Sequence, residues 1–258
     1  MSKKSQRHDR ILSVLDVNPS IRVNELAGEL GVSTETVRRD LSELDDTGRI
    51  KRTYGGAVLT KTFEHALAER SKLHIKTREA IAQMAVARIG DANSLFIGGG
   101  ATLLLFARAL RQIDRKITVL TPAFSIATEL SRNPLIEVMS LPGIVDPKEG
   151  IVSGGETLDC IAKFRTPLAV VGASGIDNQG VSEALLNAAQ VYSAMINNAD
   201  ETLVLADNSK FGTRSLQQIT ALKKNLCIIT EKAPDPLTVK AIEHNGAELL
   251  YDTQATSP

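Results

Sequence analysis

Near the start of the chain, hydrophobic residues recur at helical spacing in three short segments. The first covers residues 7–17, the second covers residues 23–30, and the third begins after Ser33, whose hydroxyl can cap a helix. Gly31 lies between the last two segments, so the pattern predicts a helix-turn-helix. Residues 49–58 are polar and rich in glycine at the centre, which predicts the two short strands of a β-wing.

The third segment carries the candidate chemistry of this region. A helix turns about 100° per residue, which places Val37, Leu41 and Leu44 on one face. Arg38 and Arg39 then lie on the opposite, polar face. Burial of the apolar face would hold both arginines toward a DNA major groove; an ordinary solvated helix surface is the alternative. The candidate DNA-binding residues are Ser33, Thr34, Glu35, Thr36, Arg38, Arg39, Ser42, Lys51, Arg52, Tyr54 and Gly55.

The distribution of charge favours DNA more than the total charge does. The formal net charge is zero, but basic residues form groups within residues 3–10, 38–39 and 49–52. A phosphate-binding surface requires such local groups rather than a positive total. We therefore expect a DNA-binding domain at residues 1–58.

Farther along the chain, apolar runs typical of buried strands alternate with helical segments. The runs occupy residues 94–97, 117–120, 136–139, 168–171, 203–206 and 226–229, and the helical segments occupy residues 77–89, 103–110, 123–132, 183–198 and 236–245. This alternation predicts an α/β fold, in which a Rossmann-like, mostly parallel sheet follows the winged helix-turn-helix. We place a linker at residues 59–75 and an effector-sensing domain at residues 76–258.

Three loops follow strands of the predicted sheet, where α/β proteins bind their ligands. Residues 98–102 open a helix whose N–H groups attract phosphate, although a plain turn also fits them. Ser174 and Asp177 offer hydrogen bonds to sugar hydroxyls, and Lys210 offers either a fixed cation or a solvated one. The candidate effector-binding residues are Gly98, Gly99, Gly100, Ala101, Thr102, Ser174, Asp177 and Lys210.

Composition narrows the class of protein. No apolar run approaches the roughly 18 residues of a membrane span, and residues 1–10 lack the apolar core of a secretory signal. We expect a cytoplasmic protein with reduced thiols at Cys160 and Cys227. The four histidines are scattered without metal-ligand spacing, so we expect neither a metal nor a cofactor.

The N-terminal region resembles the DNA-binding domain of the DeoR family of bacterial regulators. The resemblance rests on residues 23–30, 32–41 and 52–57, which agree in order and spacing with its helix, recognition helix and wing. Tyr54 departs from the histidine that usually precedes the two glycines. We expect this departure to change operator preference slightly without abolishing DNA binding.

The resemblance extends over essentially the whole chain. It implies a sensor domain with a fold related to ribose-5-phosphate isomerase, a phosphorylated sugar as effector, and repression of a carbohydrate operon. Gly98 stands where the family usually has aspartate, Ala101 where it has threonine, and Ser174 where aspartate is frequent. These departures remove polar groups that would fix a sugar. Two-fold operator symmetry further predicts a homo-oligomer, a dimer or tetramer, on double-stranded DNA.

Three other functions fit the sequence less well. An isomerase needs a positioned carboxylate base, and only Asp177 and Glu183 lie near the second loop. A nicotinamide site needs the spaced glycines of G-x-G-x-x-G, which residues 98–102 lack. A purely structural DNA-binding protein would not require so long a second domain. We therefore expect a regulator without enzyme activity.

Overall fold

The chain divides into two compact units, Met1–Phe63 and Glu64–Pro258. The division falls inside the interval 59–75, where we expect a linker, but part of that interval is helical. A computed structural model describes residues 3–17, 21–46, 50–53, 56–59 and 67–252.

Three helices and a two-stranded antiparallel sheet surround one apolar core in the first unit. They are α1 (Lys3–Val17), α2 (Val23–Leu30), α3 (Thr34–Asp46), β1 (Ile50–Thr53) and β2 (Gly56–Leu59). Gly31 ends α2 with a φ of 63°, which lets the N–H of Val32 donate to the carbonyl of Ala27. The predicted winged helix-turn-helix is confirmed, although Tyr54 and Gly55, which come between β1 and β2 in the sequence, lie outside the described residues.

The second unit alternates helices with strands. Its helices are α4 (Leu67–Arg70), α5 (Ile75–Arg88), α6 (Ala101–Leu110), α7 (Phe124–Leu130), α8 (Gly155–Ile161), α9 (Leu186–Asn197) and α10 (Pro236–His244). Its strands are β3 (Ser94–Ile97), β4 (Ile117–Thr121), β5 (Ile136–Ser140), β6 (Ile144–Asp146), β7 (Ile151–Ser153), β8 (Thr166–Gly172), β9 (Gly175–Asp177), β10 (Gly180–Glu183), β11 (Ala199–Leu205), β12 (Gln217–Ala221), β13 (Leu226–Thr230) and β14 (Glu248–Tyr251). Across the described ranges, no helix has the length and apolar character needed to cross a bilayer.

Seven parallel strands form the central sheet in the order β14-β13-β11-β8-β3-β4-β5. From β3 the chain proceeds outward to β5 and then returns to place β8 on the other side of β3. The strand order therefore reverses between β3 and β8. Open α/β sheets bind ligands in the crevice at such a reversal, at the carboxyl ends of the strands. The predicted parallel sheet is confirmed, and its topology indicates where a site should lie.

Two small antiparallel sheets, β12-β10-β9 and β6-β7, were not predicted. Their strands are short, and β9 and β10 occupy sequence that we expected to be loop and helix. The helix predicted from residue 183 begins at Leu186 because Glu183 ends β10. Oε1 of Glu183 accepts the N–H groups of Ala184 at 2.8 Å and Leu185 at 3.2 Å, which marks the turn into α9.

Candidate functional site

The outer face of α3 is the candidate DNA-contact surface. Ser33 caps the helix, because its Oγ accepts the N–H of Thr36 at 3.2 Å. The apolar face of α3 is buried, which turns Arg38 and Arg39 to solvent. Within the described part of the chain, neither arginine makes a hydrogen bond or an ion pair. Both guanidinium groups are therefore available to an external partner.

The other predicted DNA-binding residues surround this face or lie on the wing. Ser33 and Glu35 are exposed, and Thr34, Thr36 and Ser42 are half-buried. Lys51 and Arg52 lie on β1, which pairs with β2 in a hairpin. Tyr54 and Gly55 fall outside the described residues.

Ion pairs between α1 and α3 fix the position of the recognition helix. The carboxylate of Asp40, whose side chain is 2% exposed, accepts from Arg7 Nη2 at 3.0 Å and lies 3.1 Å from His8 Nε2. Burial opposes ionisation of Asp40, but the hydrogen bonds from Arg7 and His8 prevail and hold its pKa below the ordinary value. Lys4 pairs with Glu43 at 2.7 Å. Lys4 and Arg7, which we expected in a phosphate-binding cluster, are therefore engaged within the unit.

The same contacts bring His8, Asp40 and Glu43 together, with ligand atoms within 4.8 Å of one another. The spacing of the histidines did not indicate this cluster. Both carboxylates already bind the cations of α1, so the cluster is accounted for as an ion-pair network between two helices.

A pocket opens in the second unit at the carboxyl ends of β3, β8 and β11, where the strand order reverses. It combines the N-terminus of α6 with charged side chains from distant segments. Its lining includes Arg70, Arg78, Gly99, Gly100, Ala101, Thr102, Glu149, Ala173, Glu183, Tyr192, Asp207 and Lys210. Residues 99–102, Ala173 and Lys210 thus bring all three predicted loops together in one pocket.

Gly98 does not line the pocket but shapes the loop that does. A Cβ atom at this position would lie 2.9 Å from the ring of Tyr192, so the close approach requires glycine. The Tyr192 hydroxyl accepts the N–H of Gly99 at 3.1 Å and donates to the carbonyl of the same residue at 3.1 Å. Tyr192 therefore holds the peptide that leads into α6.

Asp207 organises the loop that carries Lys210. Its carboxylate accepts the N–H of Ser209 at 3.2 Å and also binds the Ser209 hydroxyl. Burial opposes ionisation, but the Ser209 hydrogen bond, with the charges of Lys210, Arg78 and His74, holds the pKa of Asp207 below its ordinary value. The loop thus presents an ionised carboxylate beside the lysine.

Ser174 and Asp177 do not line this pocket, and their role in holding a sugar stays a prediction. Oδ1 of Asp177 accepts the N–H groups of Gln179 at 2.9 Å and Gly180 at 3.1 Å, so this side chain forms the turn between β9 and β10. The hydroxyl of Ser174 donates to Oε1 of Glu183 at 2.8 Å. Ser174 therefore does not line the pocket itself but hydrogen-bonds Glu183, which does.

Comparison with known families accounts for both units. The DeoR-like helix-turn-helix domain matches residues 7–63, and the DeoR C terminal sensor domain matches residues 73–232. The chain belongs to the DeoR family. It is a DNA-binding transcription regulator, and the pocket lies in its sensor domain.

Curated relatives resemble this DeoR-family chain over most of their length. The glycerol-3-phosphate regulon repressor of Escherichia coli K12 is 28% identical, covering 93% of this chain and 95% of that protein. The HTH-type transcriptional repressor GlcR of Bacillus subtilis is 27% identical, covering 96% of this chain and 97% of that protein. The lactose phosphotransferase system repressor of Lactococcus lactis is 30% identical, covering 81% of this chain and 83% of that protein.

Solved structures show a more distant likeness. Ribose 5-phosphate isomerase A of Methanocaldococcus jannaschii is 18% identical, with a TM-score of 0.39, covering 52% of this chain and 53% of that chain. The delta subunit of eIF2B from Chaetomium thermophilum is 15% identical, with a TM-score of 0.41, covering 89% of this chain and 72% of that chain. Likenesses at this level carry no argument about activity.

Among the charged residues that line the DeoR sensor pocket, Arg70, Arg78 and Glu149 lie outside the predicted loops, and Glu183 and Asp207 lie in or beside them without having been selected as candidates. Arg70 lies in the interval that we expected to be a plain linker, and Arg78 lies on α5. Glu149 lies in the turn between β6 and β7. The one available signal was Arg78 itself, a charged residue among the apolar positions of an otherwise amphipathic helix. Nothing local marked Arg70 or Glu149, because they meet only when the unit folds.

Proposed function

We propose that this DeoR-family regulator represses a carbohydrate-metabolism operon, and that a phosphorylated sugar or related metabolite in the sensor pocket lowers its affinity for operator DNA. One observation carries the proposal. The N-terminus of α6 and three cations, Arg70, Arg78 and Lys210, converge on a pocket at the reversal of the strand order. Such a pocket suits an anion.

The N-terminus of α6 supplies the natural position for a phosphate. The first N–H groups of a helix have no partners within it, and the helix dipole favours negative charge there. We place the phosphate at residues 100–102, with Lys210 as its counter-ion. The relatives named for glycerol 3-phosphate and for a lactose phosphotransferase system favour ligands of this class.

The DNA-binding half of the proposal rests on α3. We propose that Arg38 and Arg39 contact base edges or phosphates of the major groove and that the wing contacts the DNA backbone. A homo-oligomer would present two such helices to an inverted repeat, because closed symmetry repeats each contact. Chromosomal DNA as the partner also favours a cytoplasmic location.

The carboxylates of the pocket argue against an isomerase. Oε1 of Glu183 accepts from Ser174 and two backbone N–H groups, Asp207 binds Ser209 and Arg78, and Glu149 binds Arg70. Each of these carboxylates already positions a neighbour, whereas a general base must be directed at the substrate. We therefore propose that the sensor domain binds its ligand without converting it.

Two measurements on the purified full chain test the proposal. Fluorescence anisotropy at moderate salt should show a preference for DNA upstream of its own operon over random duplex, and one member of a panel of sugar and polyol phosphates should release that DNA. Equal affinity for both duplexes would refute the proposed repression of that operon. Turnover of any panel member would refute the absence of catalysis.

A further inference from the structure

Helix α4 connects the sensor pocket to the junction between the two units. It spans Leu67–Arg70, soon after the division at residues 63 and 64. Arg70, its last residue, lines the pocket. The segment that joins the units in sequence therefore contributes a side chain to the candidate effector site.

Two charged contacts hold the end of α4, and both involve residues of the pocket. The guanidinium of Arg70 binds the carboxylate of Glu149, with side chains 15% and 9% exposed. The carbonyl of Arg70 accepts from Nη1 of Arg78, whose Nη2 lies 3.5 Å from Asp207. Any rearrangement of these cations therefore changes how α4 is held.

The charges of the pocket are balanced before a ligand enters. Among the described residues that line it, the cations are Arg70, Arg78 and Lys210, and the carboxylates are Glu149, Glu183 and Asp207. An incoming phosphate brings a charge of roughly −1.5 to −2 and three acceptor oxygens. Lys210 forms no ion pair within the described ranges and can meet part of this charge directly. Since a buried charge must stay compensated, an anion that also reaches Arg70 has to compete with Glu149 for its guanidinium. Of the three lining cations, Arg70 lies nearest in sequence to the division between the units.

We propose that the anionic group of the effector takes Arg70 from Glu149 and so releases the end of α4. This inference rests on the proposed function, in which the pocket binds a phosphorylated metabolite. A ligand shifts a conformational equilibrium only through its different affinity for the two states, and the exchange of Glu149 for phosphate provides that difference. Ligand binding in the pocket thereby changes how the end of α4 is held, and α4 follows the DNA-binding unit in the sequence.

Opposite effects of two substitutions distinguish this exchange from a merely structural ion pair. With inorganic phosphate and glycerol 3-phosphate as probes, Glu149→Gln should raise the affinity of the full chain about tenfold, because the Glu149 carboxylate no longer competes for Arg70. Arg70→Gln should lower the affinity by about the same factor. Isothermal titration calorimetry measures both. A lower affinity in both variants would overturn the proposal, since it would mean that the pair only maintains the pocket.

Asp200→Asn is the matched control, because it breaks the exposed ion pair between Arg165 and Asp200, which joins their side chains at 2.8 Å. We expect it to leave the affinity for both probes unchanged. Thermal unfolding of all three variants verifies that they fold.

Hydrogen–deuterium exchange of residues 67–74 decides the same question without operator DNA. Saturating phosphate should increase exchange of these amides in the wild type, whereas Glu149→Gln should show the increase before phosphate is added. Unchanged exchange in both cases would overturn the proposal. If amide exchange changes as expected while the chain shows no preference for its own upstream DNA, that combination would support the displacement of Arg70 and refute the proposed function.

Discussion

The two units use arginine in opposite ways. In the first unit, Arg38 and Arg39 extend into solvent and have no partner among the described residues. In the second unit, the Arg70 and Arg78 side chains are 15% and 7% exposed and are paired with carboxylates. The first arrangement leaves positive charge available to DNA. The second compensates the positive charge within the fold, so that under our proposal a ligand must exchange one partner for another.

This difference shows that the surroundings of an arginine, rather than its presence, determine what it recognises. Exposed cations attract a polyanion over several ångströms, and salt screens that attraction. Buried, paired cations are screened much less and select by geometry, because a ligand must replace the hydrogen bonds that it displaces.

Replacing Arg38 and Arg39 together with alanine should remove specific operator binding. Each arginine that reads a base contributes about 1–3 kcal/mol, so we expect a loss of about 100-fold or more. Anisotropy on operator DNA measures the loss, and the slope of affinity against salt should fall by about two. Arg132→Ala, which removes an exposed arginine of the sensor domain, is the control. Operator affinity within about threefold of the wild type would refute the assignment of α3.

Asp40→Asn should lower the stability of the first unit, because the ion pairs of Asp40 hold two of its helices together. The substitution removes the negative charge and one of the two acceptor oxygens that Arg7 and His8 bind. It should lower the free energy of unfolding by about 2 kcal/mol. Because the folded-state pKa of Asp40 lies below its ordinary value, its contribution is fully present above about pH 4 and is lost as pH falls through the folded pKa.

Chemical denaturation from pH 7 to pH 2 measures the effect of Asp40→Asn. The wild type should lose this increment in acid, whereas the variant should lack it throughout. Asp46→Asn, on the exposed end of the same helix, should match the wild type. Equal stability of the Asp40 variant and the wild type at pH 7 would contradict the prediction.

Lys210→Gln should weaken ligand binding and leave DNA binding unchanged. The lysine lines the pocket, and its backbone N–H donates to the Asp207 carbonyl at 3.0 Å, so its charge should contribute about tenfold to the affinity for a phosphorylated ligand. Calorimetry with glycerol 3-phosphate measures the affinity, with Lys224→Gln as the exposed control. Reduced operator affinity in the absence of ligand would mean that Lys210 serves the DNA-binding state as well.

Tyr192→Phe should produce the smallest effect. It removes the hydroxyl that bridges the N–H and carbonyl of Gly99, which should cost about 1 kcal/mol of stability. The affinity for phosphate should fall a few-fold because the loop before α6 loses its support. Tyr251→Phe on β14 should change neither quantity. An unchanged phosphate affinity would show that Gly98 and Tyr192 matter for packing alone.

The recognition helix was predictable because its determinants are local. A serine cap, an apolar face and two outward arginines occupy consecutive turns, so periodicity alone orients them. The central sheet was predictable for a similar reason, since each buried strand is a continuous apolar run. The hairpin of β9 and β10 was not, because its strands are short and begin at Gly175 and Gly180.

The sensor pocket was only partly predictable. The loop at residues 98–102 and Lys210 follow recognisable strands, and the rule that ligands lie at strand ends brings them together. Arg70 and Glu149 are 79 positions apart, and Gly99 and Tyr192 are 93 apart. No local pattern reveals such pairs. Conversely, the carboxylate of Asp177 has suitable chemistry for a sugar hydroxyl, but it accepts the backbone N–H groups of the turn between β9 and β10 instead.

The pocket draws its walls from segments scattered between α4 and the loop after β11, so it exists only when the whole sensor domain is folded. Ligand binding must therefore stabilise the entire domain, by an amount that grows with the logarithm of ligand concentration. Resistance to proteolysis inside the cell would then rise with the metabolite. The metabolite that lowers the affinity of the regulator for DNA would then also slow the degradation of the regulator that it has released from DNA.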